Sequence, residues 1–388
     1  MDKKVILCID DEPIILASLK QELSQRFADT MIIEVAESGK EGLEIIEFFK
    51  EKRREVVLII SDYIMPQMPG DEFLIKAHAL LPNCMKILLT GQASLEGVTN
   101  AVNKTNLYRY ISKPWNTKDL LMTVETAIQG YEKEKTLKRQ NKQIQSSIKY
   151  AERIQSAMLP SANYLTELFS NYFIFYRPKD IVSGDFYWCR EEDNKIIIAV
   201  ADCTGHGVPG AFMSLIGHQL LNRAIIDKKI YSPEKILESV NKAMRQVWNQ
   251  ENSSIHEGME MAVCVIDKKK NKLIFAGAKR PICIIQNNKL KYTKGNEMGI
   301  DGKENTSYIK QEFDLEPNTQ IYLYSDGYQD QFGGEEDRRF MSKNLRELFQ
   351  KIEMKSAQEQ QKEIATTFDN WKQNNKQIDD VLIFGFKI

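Results

Sequence analysis

The first 125 residues alternate short apolar runs with amphipathic stretches, and this alternation limits what the chain can fold into more than any other feature. Residues 13–27 and 38–50 place Ile, Leu and Phe at three- and four-residue spacing, which is typical of helices. Five apolar runs have the length of buried strands: Val5–Ile9, Met31–Val35, Val56–Ile60, Lys86–Leu89 and Leu107–Ile111. Five strands separated by helices predict an α/β fold with a doubly wound parallel sheet.

Polar side chains follow four of these five strands, at the point where each strand ends. They are Asp10, Asp11, Asp62, Thr90 and Lys113. Ligands of a doubly wound sheet bind at the carboxyl ends of its strands. Three carboxylates can hold one Mg²⁺ ion, and one of them can attack a phosphoryl group that a hydroxyl and an ammonium flank. A single Asp after a strand is often only a helix cap, but the whole set favours a phosphoryl-accepting site.

This segment resembles a response regulator receiver domain, and the resemblance covers residues 1–125. It implies that Asp62 is the phosphoacceptor. It also implies that Asp11, Asp62 and the backbone carbonyl of Ile64 bind Mg²⁺, with Asp10 assisting through water. A sensor histidine kinase is the partner that the family implies.

Three further residues take roles from the same resemblance. Thr90 and Lys113 would contact the phosphoryl oxygens. Tyr110 stands where the family carries its rotating switch aromatic, although a half-buried strand tyrosine is an equally good interpretation of it.

Residues 126–160 are rich in Lys, Gln and Glu, and they predict one long helical linker. A heptad seam runs along it: Leu137, Asn141, Ile144, Ile148, Ala151, Gln155 and Met158. Polar residues at alternating seam positions favour a parallel homodimer, that is, a coiled coil. A solvated spacer helix is the alternative, because only part of the seam is apolar.

Beyond Pro160 the pattern changes to longer strand-like runs with fewer regular crossovers. The strand-like runs are Tyr172–Tyr176, Phe186–Trp188, Lys195–Val200, Met261–Ile266, Leu273–Phe275, Ile282–Ile285, Ile321–Tyr324 and Val381–Phe384. The helical patterns are Ala211–Ile226, Pro233–Trp248, Asn344–Lys351 and Gln360–Trp371. Together they predict that residues 161–388 form an α+β β-sandwich flanked by helices.

The segment Ala201–Phe212, ADCTGHGVPGAF, joins a predicted strand to a predicted helix in this second domain. It places Asp202 at a strand end, followed by a glycine-rich turn. Glycines allow a close backbone approach and a helix start offers free N–H groups, so the segment suits a metal ion and a phosphate. Taken alone, it is equally an ordinary turn before a helix.

Acids stand at the edges of three other strands of the domain, namely Asp185, Asp326 and the pair Asp379–Asp380. Mg²⁺ and Mn²⁺ prefer oxygen ligands, whereas zinc requires closely spaced His and Cys, which the sequence lacks. Two such ions a few ångström apart can hold a phosphate for in-line attack.

Four segments carry a second resemblance: SGDFYW, ADCTGHGVPGAF, SDGYQDQFGG and the terminal DDVLIFGF. Together they resemble the metal-dependent serine/threonine protein phosphatases of type 2C, in their bacterial SpoIIE-like branch. The resemblance implies two Mn²⁺ or Mg²⁺ ions. Asp202 would bridge them beside the Cys203 carbonyl, Asp185 would hold the first ion through water, and Asp326 and Asp379 would complete the second.

Five other residues are less securely assigned. Asp330 stands where some members bind a third metal ion, and a plain surface acid is the alternative; Asp380 is the weaker neighbour of the terminal acid. Arg177 lies at a plausible distance for phosphate contact. His206 acts on the leaving group or caps the turn, and the structural role is slightly favoured. Lys279 departs from the histidine or asparagine-rich turn of many members.

Composition excludes other classes of function. Lys and Arg number 53 against 54 Asp and Glu, a net charge of −1, so no electrostatic case for nucleic acid exists. Six scattered cysteines without CxxC spacing indicate a reducing compartment. No apolar run is long enough to span a bilayer and the N-terminus does not read as a signal peptide, so a cytoplasmic protein is expected.

Two functions are consistent with these observations. In the first, phosphorylation of Asp62 controls hydrolysis of phosphoserine or phosphothreonine on a partner protein, for which the family suggests an anti-anti-sigma-like substrate. In the second, the chain is a receiver-controlled adaptor with a catalytically silent phosphatase fold. The intact set of acids favours the enzyme.

Overall fold

The computed structural model of the chain describes residues 3–91, 107–248, 257–304 and 306–388. The chain forms two compact units, Met1–Gln143 and Ile144–Ile388. No helix in the four described ranges combines the length and the apolar character that a bilayer crossing requires.

The first unit contains a sheet of five parallel strands in the order β2-β1-β3-β4-β5. Its elements in chain order are β1 (Lys4–Ile9), α1 (Pro13–Phe27), β2 (Met31–Ala36), α2 (Gly39–Glu51), β3 (Val56–Asp62), α3 (Gly70–Leu80), β4 (Met85–Thr90), β5 (Arg109–Ser112) and α4 (Thr117–Met158). The predicted doubly wound parallel sheet is confirmed.

The continuous apolar runs become strands that are covered on both faces, as parallel strands require. All seven residues of β3 are buried. Successive side chains of a strand point to opposite faces. Ile6 therefore packs in the core that contains residues of α1 and α4, whereas Leu7 packs with residues of α2 and α3 on the other face.

Helix α4 is a single helix of 42 residues. It begins at Thr117, before the predicted linker of residues 126–160. Its first turns belong to the first unit, where Leu120 and Val124 are buried in the core. Farther along, Leu137 and Ile144 are 50% and 57% exposed. Gln155, which was predicted to lie on the same seam, is buried in the second unit and hydrogen-bonded to Ser183 and Ser214. Its side chain is therefore not free to face a partner helix.

The second unit continues with α5 (Ala162–Leu168), β6 (Tyr172–Arg177), β7 (Phe186–Glu192), β8 (Lys195–Cys203), α6 (Gly207–Asn222), a π-helical turn (Arg223–Asp227), α7 (Pro233–Trp248), β9 (Met259–Asp267), β10 (Lys272–Ala278), β11 (Ile282–Gln286), β12 (Lys289–Thr293) and β13 (Gln311–Asp314). It ends with β14 (Gln320–Tyr324), α8 (Gly327–Asp330), β15 (Phe332–Gly333), β16 (Arg338–Arg339), α9 (Ser342–Ile352), α10 (Ala357–Lys372) and β17 (Val381–Lys387).

These elements form a β-sandwich flanked by helices, as predicted. One sheet has the order β13-β10-β9-β8-β7 and the other β12-β11-β14-β17-β6, with antiparallel pairing throughout. The inner core joins side chains of both sheets, such as Val200 and Phe384. The outer face of the first sheet packs against α6 and α7, and that of the second against α9 and α10.

Some boundaries differ from the predicted ones. Strand β8 extends through Asp202 to Cys203, and α6 begins at Gly207 rather than Ala211. The edge strands β12 and β13 were not predicted. Their sequences, KLKYT and QEFD, are largely polar and mostly exposed, so they lack the apolar run that marks a buried strand.

Candidate functional site

The sheet of the first unit brings its predicted acids together. Asp10 and Asp11 follow β1, and Asp62 is the last residue of β3. Carboxylate oxygens of the three residues lie within 4.8 Å of one another, the only such group of three or more among the described residues. The backbone N–H of Ile64 donates to Asp62 Oδ2 at 3.2 Å, which fixes that carboxylate at the edge of the sheet.

Lys113 closes this acidic cluster. Its Nζ lies 2.6 Å from Asp10 Oδ2 and 2.7 Å from Asp62 Oδ1. Burial lowers the pKa of Lys113, but its hydrogen bonds to the two acids outweigh burial and raise that pKa overall. Burial is the main cause that raises the pKa of Asp10. The Thr90 hydroxyl is buried without a hydrogen-bond partner, as expected of a group that awaits an oxygen ligand.

Tyr110 lies in β5, and its side chain is 59% exposed. A half-buried strand tyrosine therefore does not describe it. The switch role that the family resemblance gives to Tyr110 stays a prediction.

In the second unit, two glycine-mediated contacts draw the predicted acids to one edge of the sandwich. Asp185 directly precedes β7, and the loop before it packs against the turn after β8. A Cβ on Gly184 would lie 2.6 Å from the Gly205 carbonyl oxygen, and one on Gly210 would lie 2.4 Å from the same atom. Only glycine permits so close an approach. The loop that carries Asp185 therefore sits against the turn that follows Asp202.

Asp380 acts as a clamp between these loops and the terminal strand. Its Oδ1 accepts from the backbone N–H of Lys179 and its Oδ2 from that of Gly184, both at 2.7 Å. A Cβ on Gly327 would lie 1.9 Å from the Asp380 carbonyl oxygen, so the glycine lets the turn after β14 approach β17. That approach brings Asp326 to the same edge. Asp380 is thus engaged in positioning, which agrees with its weaker standing as a metal ligand.

The electrostatics of the cluster reflect crowded, desolvated carboxylates. Burial, and then the charge of Asp202, raises the pKa of Asp185 well above its usual range. Burial likewise raises the pKa of Asp202 well above its usual range; Arg280 opposes this shift, and Asp326 adds to it. Burial is also the main cause that raises the pKa of Asp379. Such a cluster favours a bound cation.

Two residues of this site were missed by sequence reasoning, Arg280 and Glu260. Arg280 Nη2 donates to Asp326 Oδ2 at 2.5 Å and to Glu260 Oε2, and it lies 3.5 Å from Asp202 Oδ2. Glu260 stands opposite Asp202 in the β8–β9 ladder. A single acid inside the apolar strand of residues 259–267 was the signal for Glu260, since a strand buried on both faces rarely carries one.

The residues present fit divalent cations. The side-chain donors at this edge are carboxylate oxygens, which Mg²⁺ and Mn²⁺ prefer. Asp185 is 1% exposed, and its Oδ2 is buried without a hydrogen-bond partner. An ionised oxygen in that position is costly unless a cation compensates it. The acids do not form a compact three-residue group without metal, and Arg280 stands between Asp202 and Asp326.

The structure places the other predicted residues as follows. The Cys203 carbonyl oxygen lies beside the Asp185 loop, 3.3 Å from a Cβ built on Gly184. Asp330 lies 3.5 Å from Arg339 Nη1, at the end of the short helix that follows Asp326.

Arg177 is paired with Asp369, at 2.5 and 3.3 Å, rather than with any acid of the site. The structure therefore brings Arg177 to α10 and not into the cluster of carboxylates. Its predicted phosphate contact requires this ion pair to break.

His206 is the N-cap residue of α6, and its side chain makes no capping hydrogen bond to the helix. Its Nδ1 lies 2.8 Å from Asp180 Oδ2 and its Nε2 lies 2.8 Å from Lys179 Nζ. An ammonium can only donate, so Nε2 accepts and Nδ1–H donates to Asp180. His206 is thereby held beside the loop that Asp380 clamps.

Comparisons with known proteins agree with the two sites. The family model of the response regulator receiver domain matches residues 6–125, and that of Stage II sporulation protein E (SpoIIE) matches residues 192–388. The SiaA-PP2C domain of Pseudomonas aeruginosa is 31% identical, and the match covers 64% of this chain and 98% of that one with a TM-score of 0.60.

Curated relatives match a third to two fifths of the chain. The hydrogenase transcriptional regulatory protein HoxA of Cupriavidus necator is 26% identical over 157 residues, which are 40% of this chain and 31% of that protein. HoxA of Bradyrhizobium diazoefficiens is 29% identical over 131 residues, or 34% of this chain and 25% of that protein. The matched part thus spans a third or less of the length of these relatives.

The two family-model matches follow each other along the chain; the receiver match contains Asp10, Asp62 and Lys113, and the SpoIIE match contains Asp202, Asp326 and Asp379 but begins after Asp185. A receiver joined to a type 2C phosphatase-like domain is the architecture of a regulator with a phosphatase output. The SpoIIE family to which this domain's model belongs implies a general dependence on divalent metal ions. Since residues 192–388 make up half of its length, the chain belongs to the SpoIIE family and carries a response regulator receiver domain at residues 6–125.

Proposed function

We propose that this protein is a two-component response regulator whose output is metal-dependent hydrolysis of phosphoserine or phosphothreonine on a partner protein. The proposal divides the chain into a receiver (residues 1–125), a helical linker (126–160) and a phosphatase domain (161–388). One observation carries it: acids from four separate segments of the chain lie at one edge of the sandwich, and a buried Asp185 oxygen there has no hydrogen-bond partner.

The chain's residues would hold the metal ions in named positions. Asp202 would be the ligand shared by both cations, the Cys203 carbonyl and Asp185 would complete the first position, and Asp326 and Asp379 would complete the second. Mn²⁺ or Mg²⁺ held by these residues would supply activation of water and would offset the charge that develops on a phosphate during in-line attack.

The remaining residues position these ligands. Asp380 holds the loop of Gly184, and Gly327 lets the turn of Asp326 reach the terminal strand. His206 could protonate the leaving serine or threonine oxygen only after gaining a proton at Nε2, which presently accepts from Lys179.

Control by the receiver would begin with phosphorylation of Asp62 by a sensor histidine kinase, at a site where Asp11, Asp62 and the Ile64 carbonyl would hold Mg²⁺ and Asp10 would assist through water. Thr90 and Lys113 would then bind the phosphoryl oxygens. The orphaned Thr90 hydroxyl and the two short contacts of Lys113 support these roles.

Coupling to the phosphatase would run through α4. Gln155, near the end of this helix, donates to the Ser183 carbonyl at 2.6 Å and to Ser214 Oγ at 2.8 Å, and it accepts from the Ser183 N–H at 3.1 Å. Ser183 is two residues from Asp185. A movement of α4 would therefore shift the loop of a metal ligand. We also propose that the protein is cytoplasmic and that it dimerises through α4.

The decisive experiment is Mn²⁺-dependent hydrolysis of p-nitrophenyl phosphate and of a phosphoserine protein by the full chain. Asp202→Ala should lower the rate at least about 1,000-fold, because it removes the shared ligand of both cations. Asp193→Ala, in the exposed β7–β8 turn, is the matched control and should retain the wild-type rate. Full activity in Asp202→Ala would exclude this site.

The silent adaptor remains the second candidate. It predicts a wild-type protein that neither binds a pair of Mn²⁺ ions nor hydrolyses either substrate, yet still binds a partner. A Mn²⁺ titration of the full chain separates the two functions, because the enzyme should lose two bound ions on Asp202→Ala.

A further inference from the structure

The carboxylate cluster of the phosphatase unit contains one deeply buried cation. Arg280 lies in the turn between β10 and β11 and is 7% exposed. A single nitrogen of its guanidinium, Nη2, donates hydrogen bonds to Asp326 and Glu260 and lies 3.5 Å from Asp202 Oδ2. Arg280 therefore supplies counter-charge to acids that would otherwise repel one another.

The same guanidinium has a donor without an acceptor. Arg280 Nε is buried and has no hydrogen-bond partner. Buried N–H groups are nearly always paired in native proteins, so an unpaired one beside a candidate phosphate site indicates an absent acceptor. Nε and Nη2 share one edge of the planar guanidinium, and that edge matches two oxygens of a phosphate.

We propose that Arg280 binds the phosphoryl group of the substrate through Nε and Nη2, an inference that rests on the proposed phosphatase function. Its guanidinium lies against two predicted metal ligands, so a phosphate held by the metal ions would meet its free N–H. Arginine suits this task because it remains charged and forms a bidentate fork. The contact would bind the substrate and orient the phosphoryl group for attack.

Glu260 would be the positioning residue for Arg280. It stands opposite Asp202 in the strand ladder and bonds both Arg280 and the Nζ of Lys279, at 2.9 Å for the latter. When cations occupy the oxygens of Asp202 and Asp326, Glu260 remains as the acceptor that keeps the guanidinium in place.

Three other cations among the described residues near this edge lack this geometry. The Arg177 guanidinium is committed to Asp369, and the Lys179 ammonium contacts His206. The side chain of Lys279 is 48% exposed and its ammonium is held by Glu260. Lys279 is therefore a matched control, since it carries the same charge in the neighbouring position without burial.

The test uses the full chain saturated with Mn²⁺ and two readouts. Isothermal titration measures the affinity for inorganic phosphate, and the free-Mn²⁺ signal in electron paramagnetic resonance measures metal binding. Arg280→Gln should weaken phosphate binding about 10- to 100-fold, the range of a charge-assisted pair, while Mn²⁺ binds as tightly as before or more tightly. Arg280→Lys should recover part of the affinity, and Lys279→Gln should change it less than about threefold.

Kinetics provide an independent check with a phosphoserine peptide. Arg280→Gln should raise KM and lower kcat, whereas Glu260→Gln should give a smaller change in the same direction. Unchanged phosphate affinity in Arg280→Gln with intact Mn²⁺ binding would overturn the proposal and leave Arg280 as a counter-cation only. Loss of Mn²⁺ binding in both Arg280 variants would also overturn it, as a structural role.

Failure of the proposed function gives a different result. A wild-type chain that binds neither the Mn²⁺ pair nor phosphate would refute both proposals together. A wild-type chain that hydrolyses the peptide, with an Arg280→Gln variant that matches it, would refute only the role of Arg280.

Discussion

Asp185 carries a buried carboxylate oxygen, Oδ2, without a hydrogen-bond partner, and a bound cation would compensate its charge. Its raised pKa means that the folded, metal-free protein holds a proton there at pH values where the unfolded chain has released it. Under this linkage, stability falls as pH rises from about 4, the pKa of an unfolded Asp, through the higher folded value.

Asp185→Asn should therefore stabilise the metal-free protein near pH 7, by about 1–3 kcal/mol, and flatten the loss of stability as pH rises above about 4. Thermal unfolding in the presence of a chelator measures both effects. Asp193→Asn, at an exposed turn, should leave the pH profile unchanged. A metal-free Asp185→Asn protein that unfolds at a lower temperature than wild type would show that the carboxylate is compensated after all.

The roles of individual residues could be predicted from the sequence where acidic residues recur at the ends of predicted strands. Asp10, Asp62 and Asp202 stand out because each ends or follows an apolar run, and the structure places each at a sheet edge. Arg280 was missed because its partners come from three other segments of the chain. Nothing local to AKRP indicates that Arg280 rather than Lys279 turns inward.

At the scale of elements, hydrophobic periodicity was sufficient to predict the buried strands but not to predict the edge strands. The longest apolar runs, such as Val5–Ile9 and Ile196–Ala201, are strands in the structure, whereas β12 and β13 gain their pairing from neighbours. The heptad spacing of α4 was compatible with a seam between two helices and with packing against the same chain, and the sequence could not distinguish the two. Gln155 shares the spacing of Ile144, yet tertiary hydrogen bonds draw only Gln155 into a core.

The exposed part of the α4 seam leads to a test of self-association. Ile144 is 57% exposed, and burying it between two helices would favour a dimer. Ile144→Glu should raise the dimer dissociation constant about 10- to 100-fold, since two apolar side chains are lost per dimer. Light scattering coupled to size-exclusion chromatography measures the mass.

Ser146→Glu is the control for this change, because it adds the same charge two residues away and off the seam. It should remain as dimeric as wild type. A wild-type chain that is monomeric at 100 µM, roughly the upper end of weak specific association, would contradict the coiled-coil interpretation.

At the scale of the whole molecule, the proposal requires that chemistry at Asp62 alters the rate at Asp202. Beryllofluoride, which mimics a phosphoryl group on an aspartate, should change the phosphatase rate of the full chain about 5- to 150-fold, the usual range of coupling between sites. The direction of the change is left to the measurement.

Two variants make this test specific. The phosphatase rate of Asp62→Asn should not change with beryllofluoride. Gln155→Ala should weaken the response, because it removes two hydrogen bonds to Ser183 and one to Ser214. An unchanged rate and an unchanged oligomeric state in the wild-type chain with beryllofluoride would disprove the coupling.

The position of β17 has a consequence for how the protein is made. This strand lies between β14 and β6 in its sheet, and it directly follows Asp379 and Asp380. A nascent chain on the ribosome therefore lacks both the terminal acids and the strand that joins β6 to β14 until residues 379–387 have been synthesised. The carboxylate cluster is complete only after residues 379–387 have been translated, so under the proposed function an unfinished chain would lack phosphatase activity.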